Sequence, residues 1–131
     1  MNHKLLTFLV AHEDLSESLF RTVKKILGPQ KKVFTFSNKT EGLPILAKQI
    51  TEIISKYSDY SVVFFTDLKG GSCWTLAQII KKQYPKMVII SGVNLPMLVT
   101  YFNNADTLTF TELVAKSVED GCRGIVKVAD E

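Results

Sequence analysis

The sequence reads as an α/β domain: a doubly wound, mainly parallel sheet of order 2-1-3-4 with helices on both faces. Three observations lead there. Leu5–Val10, Val62–Phe65 and Met87–Ile90 are short apolar runs with no polar face, as strands covered on both sides require. Amphipathic helical patterns alternate with them from end to end, which implies right-handed crossovers. The chain has 131 residues, 46% of them apolar, so it forms one domain over 1–131 and buries a core without metal or disulfide.

Leu5–Val10 opens the chain as a buried strand. Lys4 before it hints at a signal peptide, but no A-x-A site follows and Glu13-Asp14 come next. Asp14 is placed to cap the first helix, with Glu17 closing a capping box. Leu15, Leu19, Val23 and Ile26 then share one face until Gly28-Pro29 stops it. Lys32–Phe36 is a weaker strand suited to an edge. A second helix carries Leu46, Ala47, Ile50, Ile53, Ile54 and Tyr57 at helical spacing. After Val62–Phe65, a third helix starts behind Gly70-Gly71-Ser72 and ends before Pro85. Met87–Ile90 precedes a fourth helix near Asn94-Leu95-Pro96, where proline suits a first turn. The fifth helix has the capping box Thr109-x-x-Glu112 and ends at Gly121, and a short strand Ile125–Val128 closes the chain.

The composition excludes several function classes. Two histidines (His3 and His12) and two cysteines (Cys73 and Cys122) are too few for a Cys/His zinc cluster, a haem-attachment motif or a disulfide framework. No metal or cofactor is expected, and both cysteines read as buried thiols of a reducing cytoplasm. The net charge of +3 is mild. The basic pairs Lys24-Lys25, Lys31-Lys32 and Lys81-Lys82 are scattered among acids, unlike a nucleic-acid footprint. No apolar run reaches the ~18 residues of a membrane span.

In the order 2-1-3-4 the sheet reverses between strands 1 and 3, and ligands bind beyond the carboxyl ends of strands at such a reversal. The loops meeting there hold His12 and Asp67-Leu68-Lys69-Gly70-Gly71-Ser72. A neutral imidazole is a competent nucleophile, better placed when a carboxylate fixes its other nitrogen, and Asp67 can serve as that carboxylate. Gly70 and Gly71 let backbone N–H groups approach an anion, Ser72 adds a hydroxyl, and the following helix start adds its dipole. Taken singly, a histidine after a strand, an aspartate at a strand end and a Gly-Gly-Ser turn are ordinary loop features. Together they describe phosphoryl transfer through a phosphohistidine. His3 reads as an exposed terminal side chain.

Asp67-Leu68-Lys69-Gly70-Gly71-Ser72, Gly92-Val93-Asn94-Leu95-Pro96-Met97-Leu98 and the histidine after strand 1 resemble the IIA components of the mannose-type sugar phosphotransferase system. The resemblance covers essentially the whole chain. It implies a cytoplasmic phosphocarrier that takes a phosphoryl group from HPr and passes it to a IIB component, which phosphorylates a sugar during uptake. His12 matches the phosphorylated histidine, Asp67 its orienting acid, and Gly70, Gly71 and Ser72 the phosphate-binding loop. The family also implies a homodimer exchanging a C-terminal strand, here Ile125–Val128. The apolar residues Val93, Leu95, Met97, Leu98, Val99, Tyr101 and Phe102 suit either that dimer or burial within the monomer.

Some residues depart from the family. Glu13 stands where a glycine commonly follows the histidine, Lys69 replaces an apolar residue, and Cys73-Trp74-Thr75 replaces proline, aromatic and asparagine. A carboxylate ~4 Å from a phosphoryl group costs ~1 kcal/mol in water and ~4 kcal/mol at an effective dielectric of 20. Glu13 therefore either points away as a helix N-terminal residue or weakens the phosphorylated form, and Lys69 could offset it. Two other readings compete. One is an aspartate-phosphorylated receiver domain, with Glu13, Asp14 and Asp67 holding Mg²⁺ and Lys127 nearby. The other is a IIA-like regulatory module that uses phosphorylation only as a signal, with a IIA-like domain of a kinase-linked phosphorelay as a further variant.

Overall fold

The computed structural model describes residues 4–39 and 41–130; His3 lies outside them. Four strands, β1 (Leu5–Ala11), β2 (Val33–Ser37), β3 (Ser61–Thr66) and β4 (Val88–Ser91), form one sheet of order β2-β1-β3-β4. All pairings are parallel, with Phe8 opposite Phe34 and Phe64, and Phe65 opposite Ile90. The five helices are α1 (Leu15–Leu27), α2 (Leu43–Lys56), α3 (Ser72–Gln83), α4 (Leu95–Asn103) and α5 (Phe110–Arg123). Sheet order, fold class and the alternation of elements agree with the sequence reading.

Strand alternation sends successive side chains to opposite faces, and each face has its own core. Leu6, Phe8, Val10 and Phe64 pack with Leu46, Ile50 and Ile54 of α2 and Cys73, Leu76 and Ile80 of α3. Leu9, Val63, Phe65 and Ile90 pack with Val23 of α1, Leu98 and Tyr101 of α4 and Leu113 of α5. Because the central strands are covered on both sides, their sequence needs no polar alternation. The buried Thr7 and Thr66 are the polar exceptions, and the Thr7 hydroxyl lies 2.7 Å from the Tyr101 hydroxyl.

Several local expectations are corrected. The first capping box does not form: Asp14 makes no side-chain cap bond, and Glu17 faces Arg21 at 3.7 Å. Glu13 turns the chain with φ +50°, which leaves Asp14 at φ −94°, ψ 12° rather than the extended backbone an N-cap needs. The buried stripe of α1 is also rotated by one residue. Leu15 and Ile26 are exposed, while Ser16 is buried and donates to the Phe36 carbonyl at 2.8 Å. Cys73 is buried as expected, but Cys122 is exposed.

Helix α5 does not end at Gly121 but continues to Arg123. Gly121 is there for close approach: a Cβ on it would lie 2.9 Å from both Cβ and Cε of Met97. Asn94 ties the same two helices, capping α4 by accepting from Met97 N at 3.0 Å and donating to Gly121 O at 2.9 Å. Met97, Leu98 and Tyr101 are buried within this chain, so its own sheet and helices cover that face of α4. Gly121→Val is expected to lower stability by ~1–3 kcal/mol through overpacking. Thermal unfolding reads this, and an unchanged midpoint would refute the close-approach role.

Ile125–Val128 is not a strand here. Ile125, Val126 and Val128 are 81%, 74% and 93% exposed, because a strand needs a paired neighbour and these residues have none among the described residues.

Candidate active site

Strands β1 and β3 are neighbours and the chain leaves the sheet in opposite directions from them, so their carboxyl ends face one crevice. His12 follows β1 directly and Asp67 follows β3 directly. Asp67 Oδ2 accepts the His12 backbone N–H at 3.0 Å and lies 2.8 Å from His12 Nδ1, while Oδ1 accepts the Leu68 N–H at 3.1 Å. Burial pushes the Asp67 carboxyl upward, but the backbone and ring N–H groups of His12 outweigh it and hold the group below its ordinary value. Asp67 is thus a carboxylate at neutral pH and can only accept, so Nδ1 carries the ring proton. In the neutral ring the lone pair is then on Nε2, and the side chain is 40% exposed.

The second loop closes over this ring. Gly70 has φ +84°, a left-handed conformation that strains any other residue. A Cβ on Gly71 would stand 3.3 Å from His12 Cε1, so the bare backbone at 71 leaves room for the imidazole. Helix α3 then starts at Ser72 with no side-chain cap, which leaves N–H groups of its first turn for an anion.

The Ser72 hydroxyl accepts from Asn38 Nδ2 at 2.9 Å. Sequence reading missed Asn38, and one signal could have found it: it directly follows β2, at the same edge of the sheet. Lys39 was missed as well. Its ammonium sits 3.5 Å from Glu13 and 3.6 Å from Asp14. Glu13 is therefore drawn to Lys39, whereas Lys69 is exposed and makes no ion pair among the described residues. Leu68 beside it is 62% exposed. The arrangement that a receiver-type Mg²⁺ site needs is not assembled, because Glu13 and Asp14 engage Lys39 and Lys127 lies in the exposed segment after α5.

Cys73 stands under the ring. Burial, with the nearby Asp67 charge, pushes its thiol upward against a hydrogen bond from Ser72, so it is no nucleophile at neutral pH. A groove of about 770 Å³ lies elsewhere: Tyr57, Tyr60, Tyr84 and Phe110 line it with the loops preceding β3 and β4. The chemical groups are at the open edge instead, where a macromolecular partner can reach them.

Comparison with known proteins agrees with the geometry. The family model EIIA-man, PTS system fructose IIA component, matches residues 7–118. The chain is 32% identical over 117 residues to the PTS system mannose-specific EIIAB component of Escherichia coli K12, covering 87% of this chain and 36% of that protein. It is 24% identical over 121 residues to the PTS system sorbose-specific EIIA component of Klebsiella pneumoniae, covering 92% of this chain and 84% of the relative. Phosphotransferase system component EIIA from Streptococcus agalactiae superposes with a TM-score of 0.81 at 20% identity, covering 94% and 96% of the two chains. The mannose/sorbose specific IIA subunit from Enterococcus faecalis gives 0.78 at 20%, covering 100% and 98%. The chain spans about a third of the length of the mannose-specific relative. With the family model matched over most of its length, the chain belongs to the mannose-type IIA family of the phosphotransferase system.

Proposed function

We propose that this chain is a phosphocarrier in which His12 Nε2 accepts a phosphoryl group from HPr and hands it to a IIB component for sugar uptake and phosphorylation. The family carries the general role, phosphotransfer in sugar uptake. One observation carries the assignment to His12: the 2.8 Å contact between Nδ1 and Asp67, which in the neutral ring puts the lone pair on Nε2 at an open edge.

The step balances without a metal. The Nε2 lone pair forms a bond to phosphorus as the donor's P–N bond breaks, and the donor imidazole leaves with that electron pair. Nδ1 keeps its proton, so the phosphorylated ring carries positive charge that the Asp67 carboxylate faces directly. Gly70, Gly71 and Ser72 with the start of α3 offer backbone N–H groups to the phosphoryl oxygens. The pull of Lys39 on Glu13 keeps a carboxylate from the incoming anion. Exposed Leu68 and Lys69 flank the ring, an apolar and a basic contact for a docking protein. Transfer to IIB is the same reaction with His12 as donor.

The reading includes a cytoplasmic homodimer. The apolar residues of 125–128 lie exposed after α5, and β4 leaves one sheet edge open, so strand exchange between copies would satisfy both. Among the described residues no helix is long and apolar enough to cross a membrane.

Incubation with phosphoenolpyruvate, enzyme I and HPr is expected to add one phosphoryl group to the wild type and none to His12→Ala, read by intact-mass spectrometry. Equal labelling of both proteins would overturn the assignment.

A further inference from the structure

The residue counts argued against a Cys/His zinc cluster, yet the fold gathers one histidine and one cysteine with a carboxylate. The ligand atoms of His12, Asp67 and Cys73 all lie within 4.8 Å of one another. They come from three separate places in the chain: the ends of β1 and β3 and the first turn of α3. We propose that these three side chains form a binding site for a borderline-soft divalent cation of the zinc type.

The donor chemistry supports this choice. Imidazole and thiolate together favour zinc over magnesium or calcium, which take oxygen ligands. Three protein ligands with a fourth position open to water is a common zinc arrangement. The 2.8 Å between Nδ1 and Oδ2 is about 0.6 Å less than two ligands at ~2.0–2.2 Å span around a tetrahedral ion, so the pair opens by that much as the ion takes the place of the proton they now share. Cys73 closes the site from the protein side, fully buried, while the 40% exposed His12 ring leaves an entry path. Binding releases the thiol proton to solvent, while the ring proton moves from Nδ1 to Nε2 so that His12 ligates as a neutral imidazole. A second observation concerns the sheet face on which Cys73 packs. The Thr66 hydroxyl is buried without a hydrogen-bond partner among the described residues. Thr66 is opposite Val10 in the β1–β3 register, so alternation puts it on the sheet face that Cys73 packs against.

Zinc held by the His12 ring removes the ring from phosphoryl transfer. That consequence, unlike binding itself, rests on the phosphocarrier reading above. It would make uptake of phosphate sensitive to free zinc in a way that a proline at position 73 could not.

The test uses untagged full-length protein and the metals alone. Zinc calorimetry is expected to show one ion per chain, and cobalt(II) to give a thiolate charge-transfer band. Cys73→Ala should abolish the band and weaken zinc by more than the ~10–100-fold that loss of an outer-shell partner costs. Cys122→Ala and His3→Ala should change neither. Cys73→Ser, close in size to the native residue, should also lose the band while circular dichroism stays native. No band on the wild type, a band lost with Cys122→Ala, or zinc affinity unchanged by both Cys73 substitutions would each overturn the site. Zinc titrated into the phosphorylation assay should suppress labelling at the concentrations that saturate binding. Labelling indifferent to saturating zinc would overturn the block while leaving the metal site standing.

Discussion

Asp67→Asn is expected to slow phosphoryl transfer to the chain by about 10²–10⁴-fold, while far-ultraviolet circular dichroism stays native. The wild-type carboxylate accepts three N–H groups, two from His12 on Oδ2 and one from Leu68 on Oδ1. An amide cannot replace it in either orientation. With its oxygen toward His12, its NH₂ opposes the Leu68 N–H. With its NH₂ toward His12, it opposes the backbone N–H and requires Nδ1 to accept, which moves the ring proton onto Nε2 and blocks the nucleophile. Both orientations also lose the negative charge that faces the phosphorylated ring. Rapid-quench labelling measures the rate, and unchanged kinetics would make Asp67 structural only. The same carboxyl sets a pH dependence. Its folded pKa is depressed, so its contribution to stability is present above the ordinary carboxylate value of ~4 and is lost as pH falls through the lower folded value. The stability gap between wild type and Asp67→Asn should therefore be widest near neutrality and narrow in acid.

Phe8→Ala is expected to cost about 3–5 kcal/mol of folding free energy, a large part of the 5–15 kcal/mol typical of a domain. Phe8 is fully buried on a central strand, with ring centroids 5.8, 6.3 and 6.2 Å from Phe34, Phe36 and Phe64. These rings tie β1 to both neighbouring strands, on the strand that leads directly into His12. Urea unfolding measures the loss. A change below ~1.5 kcal/mol, as for a volume-conserving swap, would show that the cavity collapses and that this cluster does not hold the sheet.

The fold was legible because each face of the central strands is covered, and that covering writes itself as unbroken apolar runs. His12 and Asp67 were legible for a topological reason: sheet order alone brings the ends of β1 and β3 together. What was missed depended on conformation that periodicity does not encode. The positive φ of Glu13 undid the Asp14 cap, and the buried stripe of α1 includes Ser16, whose hydroxyl bonds the Phe36 carbonyl. Gly121 looked like a stop because a glycine near a helix end usually is one, but here it seats Met97. Asn38 and Lys39 were hidden by their distance in sequence from Gly70-Gly71-Ser72 and from the histidine. The strand expected at Ile125–Val128 depends on a pairing partner, which one chain does not supply.

The central claim is that Nε2 of His12 is the atom that carries phosphate, with Nδ1 proton-bound to Asp67. NMR of the ¹⁵N-histidine-labelled protein after phosphorylation reads this directly, because the two ring nitrogens differ in shift and in coupling to phosphorus. The account predicts coupling at His12 Nε2 alone, with Nδ1 still protonated. Phosphorus coupled to Nδ1, or a phosphorylated protein whose His12 ring shows no phosphorus coupling, would contradict it.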